Sequence, residues 1–263
     1  MARTAGDRVR DEPAYILHHY DWSESSLIAE VWSRHHGRVA LVAKGAKKPA
    51  SQFRSVLLPL QALQLSWSGE TEVRTLKSAQ WAGGGVMPHG DALMAGLYLN
   101  EVVLRTLARD DPHPSLFDTY DHAVRALPHE ATRLGALRAF ELLWLQGLGV
   151  LPALSVHGTS HRPLEADRRY RLVPEMGLQS SDREGLEASV CMALAEALQP
   201  ASWSDALLDL CVSHESALRG QLRALLHYHS GLPAFRTRQL WLDVAAAGQR
   251  VRQAQGRLAA PEA

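Results

Sequence analysis

Between Val31 and Gly69 the chain carries Arg34, Arg38, Lys44, Lys47, Lys48 and Arg54 and not one Asp or Glu. The whole protein has 28 basic and 28 acidic side chains and no formal net charge. The excess is therefore local, and its plainest chemistry is the neutralisation of a polyanion such as a phosphate backbone. The competing reading is a solvated face on an ordinary domain. A second acid-free stretch, 216–242, holds Arg219, Arg223, Arg236 and Arg238. It either extends a polyanion path or offers guanidinium groups to an acidic peptide. The plainer reading has these arginines lying over Leu222, Leu225 and Leu226.

The other reactive residue types do not assemble into a catalytic pattern. The 13 histidines include His18 with His19, His35 with His36, and His227 with His229. On a helix such spacings put the rings on different faces, whereas zinc motifs use i, i+4 on one face. Exposed or capping histidines, with no metal, are the expectation. Cys191 and Cys211 belong to no CxxC pair and read as buried free thiols in helices. Ser180 with Ser181 and Ser230 with Gly231 lack the strand-turn-helix elbow of a nucleophilic serine. No glycine-rich phosphate loop with a trailing Lys and Ser/Thr occurs. Neither a catalytic residue nor a cofactor is expected, so the chain reads as no enzyme.

The elements that would position the basic run change character near residue 85. From 14 to 82 five short runs (14–20, 26–32, 38–44, 60–67 and 72–80) are rich in aliphatic and aromatic residues. Leu63, Leu65 and Trp67 show the alternation of a half-buried strand. Turn residues separate the runs, and the connection 45–59 after the third is long and basic. Five strands with one long connection suggest a small barrel of the oligonucleotide-binding (OB) type. Trp32, Trp67 and Trp81 fall on these strands, as core or as stacking platforms. The basic residues Lys44, Lys47, Lys48 and Arg54 would then line a groove mouth, with Arg34 and Arg38 flanking the turn before it.

After Gly83, Gly84 and Gly85 the period becomes helical. Leu93, Leu97, Leu104 and Leu107, then Leu134, Leu137, Phe140 and Trp144, recur at helical spacing. Ser181 precedes Glu184 by three, a capping-box pattern predicting a helix through Leu186, Val190, Leu194 and Leu198. Further helices are predicted within 202–228 and 238–247. The expected fold is α+β: a flexible leader over 1–13, a five-stranded OB-fold barrel over 14–83, and a mainly α-helical domain over 86–247. A small irregular or hairpin insert is expected at about 156–180, where Tyr170 and Val173 bound a β-prone run, and a flexible tail over 248–263. No apolar stretch is long enough to span a bilayer, and the charged N-terminus lacks a secretory core, so a cytoplasmic protein without membrane contact is expected.

Tyr20, Glu24, Ser25 and Ser26, then His36, Gly37 and Arg38, then Val42, Ala43, Lys44, Gly45 and Ala46 resemble the N-terminal module of the RecO family. The likeness continues in Leu148, Gly149, Leu151 and Pro152, and in Leu222, Arg223, Leu226, His229 and Arg238, so it runs through nearly the whole chain. The resemblance implies a DNA repair and recombination mediator that binds single- and double-stranded DNA and anneals complementary strands. It also implies help in loading RecA recombinase onto gaps coated with single-strand-binding protein. The implied partners are RecR, the acidic C-terminal tail of single-strand-binding protein, RecA and a RecF-type protein. Arg34, Arg38, Lys44, Lys47, Lys48, Arg54, Arg219 and Arg223 would contact DNA. Arg125, Arg133, Arg138, Arg236 and Arg238 are eligible for the protein partners. Many family members carry two CxxC pairs in the insert; the matching positions here are His157, Ser160, Ser180 and Arg183. Neutral serines and a cationic arginine cannot complete a tetrahedral zinc site. A scaffold whose barrel binds protein and whose basic loop is only solvated is the alternative function, and a hydrolase or metalloenzyme a third.

Overall fold

The computed structural model describes residues 8–83, 85–231, 234–237 and 239–241. The predicted tail 248–263, residue 84, Arg238 and most of the predicted last helix lie outside the described residues; 239–241 are helical.

Five strands, β1 (Arg8–Asp21), β2 (Leu27–Ser33), β3 (Gly37–Ala43), β4 (Leu63–Ser68) and β5 (Val73–Trp81), close into a barrel of order β1-β2-β3-β5-β4. All neighbours are antiparallel except β3 with β5. This is the five-stranded barrel of the OB fold. Its interior is built from one parity of each strand: Ile16, Ala29, Val31, Val39, Leu41, Leu63, Leu65, Trp67 and Leu76 form one buried cluster. The connection after β3 contains a single turn of helix, α1 (Gln52–Val56), capped by the Ser51 hydroxyl.

The barrel starts earlier than its apolar pattern suggests. Residues 8–13, expected as a leader, belong to β1, where Arg8 pairs with Ser68 and Glu12 with Leu65. Arg8, Arg10 and Asp11 are exposed and Glu12 is buried against His35, so this paired segment carries no apolar signature. Two register shifts, between Val9 and Glu12 and between Ile16 and His18, bend β1 so that it pairs first with β4 and then with β2. Such bulges re-aim side chains, and here the second one lets both Leu17 and His18 leave the barrel interior.

The helical domain consists of α2 (Asp91–Thr106), α3 (Pro114–Ala126), α4 (Glu130–Gly147), α5 (Ala188–Ala197), α6 (Asp205–Ser213) and α7 (Glu215–Ser230). Its core does not stop at the barrel. Tyr15, Leu17, Trp32 and Leu60, all outside the barrel interior, are buried among the helical residues. Trp32 meets Phe117, Tyr120 and Trp144 edge-on at 5.4, 5.3 and 5.4 Å between ring centroids. The Asn100 side chain donates to the Leu17 carbonyl at 3.0 Å and accepts from the Tyr120 hydroxyl. Gly37 has φ +67°, and a Cβ there would lie 2.4 Å from the Asp111 carbonyl oxygen, so only glycine lets the two domains approach this closely. Cys191 and Cys211 are buried thiols, pushed up by burial to about 11 and about 12.

The insert is a three-stranded sheet of order β7-β6-β8, made of β6 (Arg169–Val173), β7 (Gly177–Ser181) and β8 (Leu186–Glu187). The capping-box reading at Ser181 and Glu184 is corrected by this sheet: Ser181 ends β7, Glu184 lies in the turn to β8, and α5 begins only at Ala188. Pairing of Tyr170 with both Ser180 and Leu186 takes the backbone that a helix would need. Tyr170, Leu172, Leu178 and Leu186 face the helical core.

Candidate nucleic-acid interface

Register along the barrel divides its outer face in two. Ala29, Val31, Leu41 and Ala43 point inward, so Ile28, Glu30, Trp32, Arg38 and Val42 point outward. At one end the row Tyr15–Trp32–Arg38 is covered by the helical domain. At the other the row Tyr20–Ile28–Val42–Thr75 is only partly buried and faces solvent. Lys44 and Lys77 lie two residues beyond Val42 and Thr75, the last paired residues of β3 with β5, and both are exposed.

The basic run is sorted by this geometry into two groups. Arg34 and Arg38, expected at the groove mouth, are instead structural links between the domains. The Arg34 guanidinium donates from Nε and Nη2 to the two carboxylate oxygens of Asp118 at 2.8 and 2.7 Å. Those hydrogen bonds hold the Asp118 carboxyl below the usual carboxylate range. Arg38, its side chain 12% exposed, donates from Nη1 to the carbonyls of Leu104 and Leu107 at 2.8 and 2.5 Å and pairs with Glu30 at 3.5 Å. It thereby caps the end of α2, where carbonyls lack helical partners. Arg109 joins Glu30 to Glu72, and Arg74 pairs with Asp110 at 2.6 Å.

Lys44, Lys48 and Arg54 form the second group: all are exposed and have no acidic partner among the described residues. Lys47 stands between the groups, half-buried and 3.3 Å from Asp21. Its backbone N–H donates to the Ser25 carbonyl at 2.9 Å, and the Gly45 N–H donates to the Ser26 hydroxyl at 3.3 Å. The loop after β3 is therefore tied to the turn between β1 and β2. Lys77 was not among the residues expected from sequence. Its neighbours in the chain are unremarkable, and only the parallel pairing shows that its strand, β5, adjoins β3, the strand that leads into Lys44.

Of the tryptophans weighed as platforms, Trp32 and Trp67 are buried and Trp81 is exposed at the end of β5. Two other aromatics stand at the barrel tip: Tyr20, 50% exposed, and Trp22, 66% exposed.

The arginines of the helical domain do not gather into one rim. Arg219 is exposed on α7, whereas Arg223 is half-buried and acts electrostatically on Tyr98 and Glu141. Beneath them Leu222, Leu225 and Leu226 are buried, as the snorkelling reading predicts. Arg125 donates to Asp121 at 2.8 Å, and Asp121 also accepts from the Tyr15 hydroxyl at 2.5 Å. Arg133 donates to the Leu127 carbonyl at 2.6 Å, closing the end of α3. Arg138, expected at a surface rim, is turned inward: its side chain is 7% exposed and pairs with Glu141 at 3.0 Å. The Arg236 side chain is exposed, while its backbone N–H and that of Thr237 donate to the Glu101 carboxylate at 2.8 Å.

At the four positions compared with zinc ligands, the His157 Nδ1 accepts from the Ser160 N–H at 3.3 Å, Ser180 sits in register opposite Tyr170, and Arg183 lies in the turn after β7. Among the described residues no three His, Cys, Asp or Glu side chains converge on a metal position, and no helix is long and apolar enough to cross a membrane.

Comparison with known proteins matches residues 9–84 to the family model for the N-terminal part of recombination protein O and residues 87–238 to that for its C-terminal part. A DNA repair protein RecO of Polaromonas naphthalenivorans (strain CJ2) is 53% identical over 247 residues, covering 92% of this chain and 99% of its own. That of Variovorax paradoxus (strain S110) is 53% identical over 256 residues, with the same coverage. That of Delftia acidovorans (strain DSM 14801 / SPH-1) is 54% identical over 248 residues, covering 90% and 97%.

Proposed function

The chain belongs to the RecO family of DNA repair proteins, and from that premise we propose that it is a non-catalytic recombination mediator that holds DNA backbone on the open face of its barrel. The observation that carries this reading is the exposed set Lys44, Lys48 and Arg54 in the connection after β3, with exposed Lys77 on β5, the strand that pairs with β3. Long cationic side chains on a barrel face neutralise phosphates without reading bases, which suits annealing, where either strand must be held and neither sequence preferred.

In this reading the protein binds single- and double-stranded DNA, anneals complementary strands and, with RecR, helps RecA load on gaps coated with single-strand-binding protein. A RecF-type protein is a further partner. The acidic tail of single-strand-binding protein goes to the helical domain, where Arg125, Arg133 and Arg236 reach the surface and Arg138 does not. The protein works in the cytoplasm at the nucleoid.

The test is annealing of complementary strands coated with single-strand-binding protein, comparing the wild type with Lys44→Ala/Lys47→Ala/Lys48→Ala. The triple variant should lose annealing. Its logarithmic salt slope on single strands should shrink by about 0.7 for each phosphate contact removed. Lys47 should contribute least, because Asp21 already neutralises it. Unchanged affinity and annealing would favour a protein-binding scaffold instead.

A further inference from the structure

Trp22 is 66% exposed and Tyr20 50% exposed, whereas Trp67 is buried inside the barrel and Trp32 beneath the helical domain. An exposed indole or phenol ring offers a flat face on which a base can stack. We propose that Trp22 and Tyr20 are a stacking platform for unpaired bases, which gives the basic tip a preference for single-stranded over duplex nucleic acid. The inference rests on the reading of that tip as a DNA site.

Three features of the tip support it. The turn carrying Trp22 is pre-organised: the N–H groups of Trp22 and Ser23 both donate to the Ser26 carbonyl at 3.2 and 3.3 Å, and the Ser26 N–H donates to the Ser23 hydroxyl at 3.1 Å. A ring presented on a closed turn loses little freedom when it is covered. The turn is also fastened to the cationic loop through Ser25, Ser26 and Asp21, so Trp22 belongs to the same surface as Lys44 and Lys48. Finally, Tyr20 lies on the open row with Ile28 and Val42 and is propped by the His18 ring, edge-on at 4.5 Å between centroids.

The ligand class follows from the geometry of the ligand. Bases in a duplex are stacked on each other and show only their edges, so an aromatic face finds a partner only where a base is unpaired. Phosphate contacts by lysine are indifferent to that distinction. Lysines alone would hold both forms of DNA; the rings add a term that only single strands collect.

The experiment measures binding of the full chain to a fluorescent oligo-dT and to a duplex of equal length across a salt series. Variants are Trp22→Ala, Tyr20→Ala, Trp22→Phe, Trp81→Ala and Lys44→Ala/Lys48→Ala. Trp22→Ala should weaken oligo-dT binding about tenfold, the scale of losing one base stack, with duplex affinity and salt slope unchanged. Tyr20→Ala should act in the same sense, Trp22→Phe should restore most of the loss, and Trp81→Ala should behave as wild type. Wild-type oligo-dT affinity in Trp22→Ala together with impaired binding in the lysine variant would overturn the platform and leave the DNA site standing. Equal loss on both DNA forms would also overturn it, as would a variant that fails only in binding a protein partner. Full binding by the lysine variant would instead remove the underlying site.

Discussion

Cations adjacent in sequence do unlike work here, and the difference is set by what each faces. Arg38 and Lys44 lie six residues apart on the same outer face of β3 and just beyond it, yet one is a cap for α2 and the other reaches solvent. Arg38→Ala should destabilise the protein by about 3 kcal/mol, the lower end for removing one partner of a buried pair, because Arg109 still faces Glu30. Arg38→Lys should rescue little, since one ammonium cannot span two carbonyls and a carboxylate in the guanidinium's planar geometry. Urea denaturation checks both, and the folded fraction should bind DNA as wild type does. A loss of DNA affinity without a loss of stability would return Arg38 to the DNA-facing group. The charge of these residues was legible in the sequence, but their partners were not: Asp118 and Glu101, which hold Arg34 and the segment at 236–237, are distant in the chain and carry no local signal.

Among the elements, β4 and α2 were readable by period because one face of each is buried, whereas β2 and β3, buried on both sides near the helical domain, and α4, buried all round over 135–145, were readable as apolar runs. The start of β1 and the turn before α5 were not readable: one is paired but charged, and the other mimics a helix cap while serving a sheet. The insert packs against the helical domain. Its strands put Tyr170, Leu172, Leu178 and Leu186 into the helical core, and the Gly158 N–H donates to the Leu178 carbonyl at 2.7 Å. A Cβ at Gly158 would lie 1.8 Å from the Met176 carbonyl oxygen, so the 157–158 segment and the hairpin meet backbone to backbone. Packing of this kind can hold the insert in place, and the donor set at His157, Ser160, Ser180 and Arg183 offers a tetrahedral zinc one serviceable ligand. Elemental analysis of purified protein should therefore find only substoichiometric zinc, and a chelator should leave the melting temperature unchanged. One tightly held zinc per chain would overturn this account of the insert.

For the whole molecule, the barrel has a core of its own, but its outer face completes the core of the helical domain. Tyr15, Leu17, Trp32 and Leu60 are at most 3% exposed, and all are covered by helical residues rather than by the barrel. Around them Arg34–Asp118, Arg38 with the Leu104 and Leu107 carbonyls, Arg74–Asp110 and Tyr15–Asp121 tie the domains at several points. Separating the domains would wet four large side chains and strand buried charges, costs that together rival the net stability of a typical domain. The intact chain should accordingly unfold in one transition, with near-ultraviolet circular dichroism and far-ultraviolet helix signal coinciding along a urea series. Trp32→Ala should destabilise the fold by about 3–5 kcal/mol, the cost of emptying a fully buried aromatic site, and should lower both midpoints together. Two separated transitions in the wild type would mean that the domains move independently. The single-transition result matters for the mediator reading, because a rigid junction fixes the open barrel face relative to the arginines of the helical surface. DNA held by Lys44 and Lys48 and a protein partner held by the helical domain would then meet at a set geometry rather than through a flexible tether.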